Sequence, residues 1–212
     1  MIELWLVRHG QTDWNLQKRW QGWRDVPLNA TGVAQARALA DALAGESFTH
    51  MFTSDLARAQ LTAHILQQRL QCPLSIEPLL RERHFGPLEG KPRMDADVHG
   101  RIPDTPEFPV IDDTLTSEET DDVFSARVRA FLEVVPSTVA HGRVIAVTHG
   151  GFIRMTLSVL SQEPPAALHN TGVTRVHWDG QRWQVHDVDR AVHLLADTGT
   201  QSAEAHESDL LR

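Results

Sequence analysis

The chain has 212 residues, of which 41% are hydrophobic and 23% are charged, and its formal net charge is −8. This composition is typical of a globular protein, and the negative charge argues against sequence-independent binding to nucleic acid or to an anionic membrane. No apolar stretch is long enough to span a bilayer, and the N-terminus lacks a basic region followed by a long apolar segment, so we expect a cytoplasmic protein. The single cysteine, Cys72, excludes an internal disulfide and is expected to be buried.

The chain opens with a continuous apolar run, Leu4–Val7, which predicts a strand buried on both faces of a parallel sheet. This strand ends in Arg-His-Gly at residues 8–10, and open α/β sheets bind their ligands at the carboxyl ends of their strands. Residues 11–28 predict an ordered irregular segment, whose three tryptophans we assign to packing rather than to substrate recognition. Asn29 provides a cap for a helix predicted over residues 33–44.

Strand and helix patterns alternate through the next part of the chain. A strand is predicted over residues 50–54, a helix over residues 56–70 and a further strand over residues 74–77. Residues 80–90 contain two glycines and a proline and predict a shaped loop. Residues 91–118 hold four prolines and predict a surface excursion, which is either a variable loop or a lid over the site.

The second half of the chain repeats the alternation. Its predicted elements are helix 119–135, strand 144–147, helix 152–160 and an antiparallel hairpin of strands 173–178 and 183–188. The strand at 144–147 is apolar and ends in histidine and glycine, as the first strand does, so we expect the two histidines to meet at one crevice.

These patterns together predict an α/β fold. We expect a three-layer α/β/α sandwich whose central sheet is mostly parallel, with antiparallel character at one edge. Residues 1–197 are predicted to form a single domain, and the polar, acidic residues 198–212 are predicted to be a flexible tail.

Four motifs follow one another in the chain. They are Arg8-His9-Gly10, Ser54-Asp55-Leu56-Ala57-Arg58, Glu82 in an Arg-Glu-Arg-His-Phe-Gly loop, and Thr148-His149-Gly150. In this order and in these strand and helix contexts, the motifs resemble the histidine phosphatase superfamily, also called the phosphoglycerate mutase-like family. The resemblance covers roughly residues 1–195 and implies a phosphoglycerate mutase-like fold.

The resemblance assigns roles in phosphoryl transfer. It implies that His9 is a nucleophile that forms a phosphohistidine, which water then hydrolyses. Arg8, Arg58 and His149 would surround the phosphoryl oxygens, and Asn15 would add a neutral donor. Arginine suits this task because its guanidinium is planar and permanently charged. The neighbouring arginines should also keep His9 neutral by opposing its protonation.

A general acid is required because an alkoxide is a poor leaving group at neutral pH. The resemblance gives this role to Glu82, and Glu89 in the same loop is the reserve candidate. Gln21, Gly22 and Gly150 are the remaining residues predicted to bind substrate or phosphate.

Three activities fit this set of residues. We favour a metal-independent phosphomonoesterase that acts on a small phosphorylated metabolite. The segment between Gly90 and Glu119 is shorter than the insertion with which mutases of the resembled family close the site. A phosphoglycerate mutase-type phosphotransferase is the alternative, and a non-catalytic phosphate-binding protein is the third candidate. Neither a close metal-ligand motif nor a glycine-rich nucleotide-binding loop occurs, so no metal or other cofactor is expected. A homodimer remains open.

Overall fold

The computed structural model describes residues 1–93, 108–109 and 117–194. The described strands are β1 (Ile2–Arg8), β2 (His50–Thr53), β3 (Leu74–Ile76), β4 (Gly142–Thr148), β5 (Val173–Trp178) and β6 (Trp183–Arg190). The described α-helices are α1 (Asp13–Leu16), α2 (Ala30–Ala42), α3 (Ala57–Leu70), α4 (Asp121–Thr138) and α5 (Gly150–Val159). The predicted tail and most of the predicted excursion lie outside the described residues.

The six strands form one sheet in the order β3-β2-β4-β1-β5-β6. β3, β2, β4 and β1 pair in parallel, whereas β5 runs antiparallel to both of its neighbours. Arg8 pairs with Thr148 in the register of β1 and β4, so the predicted motifs that follow these two strands leave the sheet side by side. A mostly parallel sheet with antiparallel character at one edge is therefore confirmed.

Helices cover both faces of the sheet. Alternate residues of β1 point to opposite faces, because side chains in a strand alternate. Leu4 and Leu6 pack into the core formed with α4 and α5, whereas Trp5 and Val7 pack into the core formed with α2 and α3. The three-layer α/β/α arrangement and the burial of β1 on both faces are as the sequence predicts.

The N-terminal part of the chain contains more helix than the sequence predicts. α1 lies within residues 11–28, where an irregular segment was expected, and a capping box stabilises it: Thr12 and Asn15 each bond the other's backbone N–H. α2 begins at Ala30 rather than at Val33, because the Asn29 side chain accepts a hydrogen bond from the N–H of Gly32.

α4 extends three residues past its predicted end at Val135. Pro136 lies inside its last turn and has no N–H to donate to the carbonyl of Leu132. The indole Nε1 of Trp183, on β6, donates to that carbonyl instead, at 3.2 Å. A side chain from another element thus replaces the missing helix hydrogen bond, which the local sequence pattern does not reveal.

Within the described ranges, no helix combines the length and the apolar character needed to cross a membrane. Cys72 is buried, as expected.

Candidate active site

A cavity of about 340 Å³ lies at the carboxyl ends of β1 and β4. Eight of the predicted site residues line it, namely Arg8, His9, Asn15, Gln21, Gly22, Arg58, Glu82 and Gly150. His149 is not among the lining residues; it is fully buried, and its ring centroid lies 5.1 Å from that of His9. The structure therefore brings all nine residues together at one place.

His9 is held in a single orientation at the end of β1. Its Nδ1 lies 2.7 Å from the carbonyl oxygen of Gly10. A carbonyl can only accept, so Nδ1 carries the proton and the lone pair of the neutral ring is on Nε2. Burial, followed by the charges of Arg58 and Arg8, lowers the pKa of His9 well below 6.5. The ring is thus neutral at physiological pH.

Close backbone packing fixes the turn after His9. A Cβ on Gly10 would lie 2.4 Å from the carbonyl oxygen of Gly32 at the start of α2, so the site requires glycine there. The N–H of Gly10 donates to Thr62 Oγ1 on α3 at 3.1 Å. The turn is therefore tied to helices α2 and α3, which both lie on the same face of the sheet.

Arg58 is completely buried at the first turn of α3. Its Nη1 and Nη2 donate to the carbonyls of Arg24 and Gly22, at 2.8 and 2.7 Å. Its Nε has no hydrogen-bond partner within the described part of the chain. Burial lowers the pKa of Arg58 to about 10, against an opposing effect of Glu82, so the guanidinium stays charged at neutral pH.

Arg8 projects from the last position of β1. Its Nη1 donates to the carbonyl of Leu168, and its Nε, like that of Arg58, has no partner among the described residues. Burial lowers the pKa of Arg8 to about 10, and Glu82 again opposes this effect. Two charged guanidiniums therefore line the cavity, and their permanent positive charge fits a phosphoryl dianion.

His149 caps the start of α5 and is fully buried. Its Nε2 lies 3.0 Å from Ser54 Oγ, and its Nδ1 has no partner within the described residues. Burial, followed by the charge of Arg58, lowers the pKa of His149 well below 6.5. A neutral ring with one engaged and one unpaired nitrogen results.

Glu82 lies in the cavity wall and is held by two backbone donors. The N–H of Gly151 donates to its Oε2 at 3.0 Å, and the N–H of Arg83 donates to its Oε1 at 2.8 Å. A side chain at position 151 would displace this carboxylate, because a Cβ there would lie 2.0 Å from Glu82 Oε1. The start of α5 therefore positions this carboxylate.

Glu89, the reserve candidate, lies outside the cavity wall. Its side chain is 2% exposed. Its Oε1 accepts hydrogen bonds from the N–H groups of Trp23 and Phe85, at 3.0 and 3.1 Å. Glu89 thus joins two backbone segments, which fits a structural role rather than that of the general acid.

The two predicted amides face the cavity with their oxygens already engaged. Asn15 Oδ1 accepts from the backbone and the hydroxyl of Thr12, at 3.0 and 3.1 Å. Gln21 Oε1 also lies 3.1 Å from that hydroxyl, whose single proton the two amide oxygens share. The amide nitrogens are therefore the groups of Asn15 and Gln21 that can donate to a ligand.

The tryptophans of residues 11–28 divide between the cavity and the core. Trp14 and Trp20 line the cavity, and Trp20 packs against Phe85 with 4.4 Å between ring centroids. Trp23 is buried, and its Nε1 donates to the carbonyl of Glu82 at 2.7 Å. Trp14 and Trp23 are buried, as the assignment to packing predicts, whereas Trp20 is only partly buried and is also accessible to a ligand.

The sequence analysis missed several residues of this region. Asn170 lines the cavity, and its Nδ2 donates to the carbonyl of His9 at 2.9 Å. Lys18 and Arg154 also line the cavity. Helical spacing offered a signal for Arg154, which is four residues after Gly150 and shares its face of α5. Neither Asn170 nor Lys18 belongs to a recognisable local pattern.

Arg127 on α4 supports the backbone that carries Glu82. Its guanidinium donates to the carbonyls of Leu79, Arg81 and Glu82 at 2.8, 2.7 and 3.1 Å. Glu119 pairs with it at 2.7 Å, with both side chains largely buried. This pair links α4 to the Glu82 loop, a long-range contact that the sequence does not reveal.

Among the side chains that the structure describes, no three histidines, cysteines or carboxylates converge as a metal site would require.

A sequence model of the histidine phosphatase superfamily, branch 1, matches residues 4–190. The chain is 34% identical to the probable phosphoglycerate mutase GpmB of Photorhabdus laumondii over 192 residues, covering 86% of this chain and 88% of that protein. It is 32% identical over 198 residues to the uncharacterized phosphatase PhoE of Bacillus subtilis, covering 92% and 97% of the two proteins.

Solved structures agree with this match. A mycobacterial glucosyl-3-phosphoglycerate phosphatase in complex with VO3 is similar to this chain with a TM-score of 0.73 at 26% identity, covering 88% of this chain and 98% of that one. The phosphoglycerate mutase-like fold is thereby confirmed. The family model matches nearly the whole chain, and the fold agrees with it. The chain therefore belongs to the histidine phosphatase superfamily, and this membership supports a phosphoryl-transfer enzyme.

Proposed function

We propose that this protein is a phosphomonoesterase that acts through a phosphohistidine at His9 and requires no metal. The observation that carries the proposal is the state of His9: its ring is neutral and fixed by the Gly10 carbonyl, its Nε2 is unprotonated, and Arg58 and Arg8 are close enough for their charges to lower its pKa. A nucleophile that is unprotonated and already oriented loses little entropy when it reaches the in-line geometry.

In the first step, Nε2 of His9 attacks the phosphorus atom of the bound monoester. A phosphorus–nitrogen bond forms while the bond to the ester oxygen breaks. Glu82 in its protonated form donates its proton to the leaving oxygen, so that an alcohol departs. The products of this step are phosphohistidine, the free alcohol and the Glu82 carboxylate.

In the second step, water attacks the phosphorus atom of the phosphohistidine. The Glu82 carboxylate accepts a proton from this water, the phosphorus–nitrogen bond breaks, and the electron pair returns to Nε2. Inorganic phosphate leaves, and His9 and protonated Glu82 are restored. One carboxylate thus serves as acid and then as base, for which its position in the cavity wall beside Gly151 is suited.

The surrounding donors stabilise the charge on the transferring phosphoryl group. Arg8 and Arg58 supply charged N–H groups, and Asn15 and Gln21 supply neutral ones. For His149, we assign the proton to Nδ1: the N–H of Leu56 donates to Ser54 Oγ at 3.3 Å, and the Ser54 hydroxyl donates in turn to Nε2 of His149. His149 then donates from Nδ1 to a phosphoryl oxygen.

A mutase is the second candidate, because a relative 34% identical to this chain carries the name of a probable phosphoglycerate mutase. The two activities share the phosphohistidine step and differ in whether water or a retained phosphorylated acid accepts the phosphoryl group. A non-catalytic role is disfavoured, since His9, Glu82 and both arginines are all present at the cavity.

A paired assay tests the proposal. Release of phosphate from p-nitrophenyl phosphate and from metabolite monoesters is measured alongside the isomerisation of 3-phosphoglycerate with and without 2,3-bisphosphoglycerate. We expect phosphate release that survives EDTA and is abolished in His9→Gln, with isomerisation slower than hydrolysis. Faster isomerisation than hydrolysis would instead identify a mutase, and loss of activity in EDTA would contradict the metal-free reaction.

A further inference from the structure

The cavity is strongly basic within an acidic protein. The chain as a whole carries a net charge of −8. Among the described residues that line the cavity, six are basic and only Glu82 is acidic. Arg8 and Arg58 account for two of the six and lie at the phosphoryl end. The remaining four, Lys18, Arg19, Arg93 and Arg154, exceed what a single phosphoryl group needs.

Arg154 stands out among these four because of its position. It follows Gly150 by four residues, so it lies one helical turn along the face of α5 that lines the cavity. Its Nη1 donates to the carbonyl of Ala166 at 2.8 Å, a contact that holds the guanidinium at the cavity edge. The segment that binds Arg154 also binds Arg8, through the carbonyl of Leu168.

No carboxylate in the described part of the chain pairs with Arg154. A guanidinium has five N–H donors, and the Ala166 carbonyl occupies one of them. Arg154 is also close enough to Arg8 for its charge to contribute to the lowered pKa of Arg8, after the larger effect of burial. Two like charges thus face the same small cavity, and an anion between or beside them would relieve the repulsion.

Lys18 provides a second cation without a described carboxylate partner. It lies two residues after α1 and lines the same cavity. Its backbone N–H donates to the carbonyl of Asn15 at 3.2 Å, which fixes it next to a residue that faces the phosphoryl end. The wall therefore offers positive charge from both α5 and the segment that follows α1.

We propose that Arg154, assisted by Lys18, binds a second anionic group of the substrate, so that the preferred substrates are small phosphomonoesters carrying a carboxylate or a second phosphoryl group. This inference rests on the proposed function and names its substrate class. A guanidinium binds either group in bidentate fashion, so the experiment must distinguish a carboxylate from a second phosphoryl group. A cavity of about 340 Å³ limits the substrate to a small metabolite.

Matched substrate pairs test the inference. 3-Phosphoglycerate and glycerol 3-phosphate differ only in a carboxylate against a hydroxymethyl group, and fructose 1,6-bisphosphate and fructose 6-phosphate differ in a second phosphoryl group. The measured quantity is the ratio of kcat/KM within each pair. The wild type should prefer the more anionic member of at least one pair, and which pair shows the preference identifies the second anion.

Arg154→Gln removes the charge and keeps a donor for the Ala166 carbonyl. We expect it to lower the preferred ratio by about 10- to 100-fold, the worth of a hydrogen bond to a charged group. Arg154→Lys should restore part of the ratio. Arg182→Gln is the matched control, because it changes the net charge by the same amount as Arg154→Gln. Arg182 lies in the β5–β6 turn, and its side chain is 77% exposed. Its ratio should equal that of the wild type.

A wild type with no preference in either pair, or a ratio that Arg154→Gln and Arg182→Gln leave equal, would overturn the inference. Failure of the proposed function is separable from this result. It would appear as no hydrolysis of p-nitrophenyl phosphate by the wild type. In that case calorimetric binding of the same pairs to His9→Gln still tests Arg154, because binding does not require turnover; equal affinities within both pairs would reject it.

Discussion

The two ends of the cavity are built differently. At the phosphoryl end, Arg8, His9 and Arg58 are largely buried, and backbone carbonyls fix each side chain. At the outer end, Lys18 and Arg154 come from a short connection and a helix surface and have few described contacts. Buried and rigidly held groups suit chemistry that is the same for every phosphomonoester. Less constrained charges suit the recognition of whatever else the substrate carries.

The largest expected effect comes from removing the nucleophile. His9→Gln should lower kcat/KM by about 10⁴-fold or more for every substrate alike, because every substrate must transfer its phosphoryl group to this residue. Phosphate release from p-nitrophenyl phosphate and from both members of the 3-phosphoglycerate pair measures this. A loss confined to one substrate would contradict the division between the two ends. Circular dichroism checks that the variant remains folded.

Glu82→Gln should produce the next largest effect, and its size should depend on the leaving group. Loss of a general acid costs about 10²–10⁴-fold for an alkyl ester, and less for p-nitrophenyl phosphate, whose leaving oxygen is a weak base. Glu89→Gln is the matched control. It should lower the free energy of unfolding by about 1–3 kcal/mol, because it disturbs a buried acceptor of two N–H groups, without changing the leaving-group dependence. Equal losses for both leaving groups in Glu82→Gln would remove Glu82 as the acid.

Arg58→Gln should lower kcat by about 10²–10³-fold, as the loss of a preorganised charged donor does. It should also move the acid limb of the pH–kcat/KM profile, which reports pKa values of the free enzyme, to higher pH. The charge of Arg58 contributes to the lowered pKa of His9, so its removal raises that pKa and His9 is protonated sooner as pH falls. Arg69→Gln, an exposed arginine in the last turn of the same helix, should change neither quantity. An unshifted acid limb in Arg58→Gln would argue against the electrostatic coupling.

The smallest effect concerns stability. His9 and His149 are buried and neutral in the folded protein, with pKa values well below 6.5, whereas the unfolded chain protonates them near 6.5. The unfolded state then binds more protons, so stability is lost as pH falls below 6.5. Each histidine contributes a slope of at most about 1.4 kcal/mol per pH unit. Urea unfolding at several pH values should show a shallower slope in His149→Gln, and an unchanged slope would contradict the assignment of a neutral buried ring.

The sequence predicted the framework of the fold because its signals are local. The apolar runs that became β1 and β4 and the cap at Asn29 each depend on neighbouring residues alone. The change from parallel to antiparallel pairing at β5 was also predicted by the hairpin pattern of residues 173–188. The order of the strands, with β4 between β2 and β1, depends on contacts between distant segments and was not predicted.

The same distinction applies to the site. The strand-end histidines and arginines were recognisable because they belong to motifs in a fixed order. Asn170 and Arg127 were not, because they act through backbone carbonyls of residues 161 and 45 positions away, those of His9 and Glu82.

Trapping the phosphorylated enzyme tests the central claim most directly. Glu82→Gln, in which hydrolysis of the intermediate is slowed, is mixed with substrate, quenched in alkali to preserve phosphohistidine, digested and examined by mass spectrometry. We predict one phosphoryl group on the peptide that contains His9, and none when His9 is also replaced by Gln. A phosphoryl group on any other residue, or continued turnover in His9→Gln, would contradict the assignment of His9 as the nucleophile.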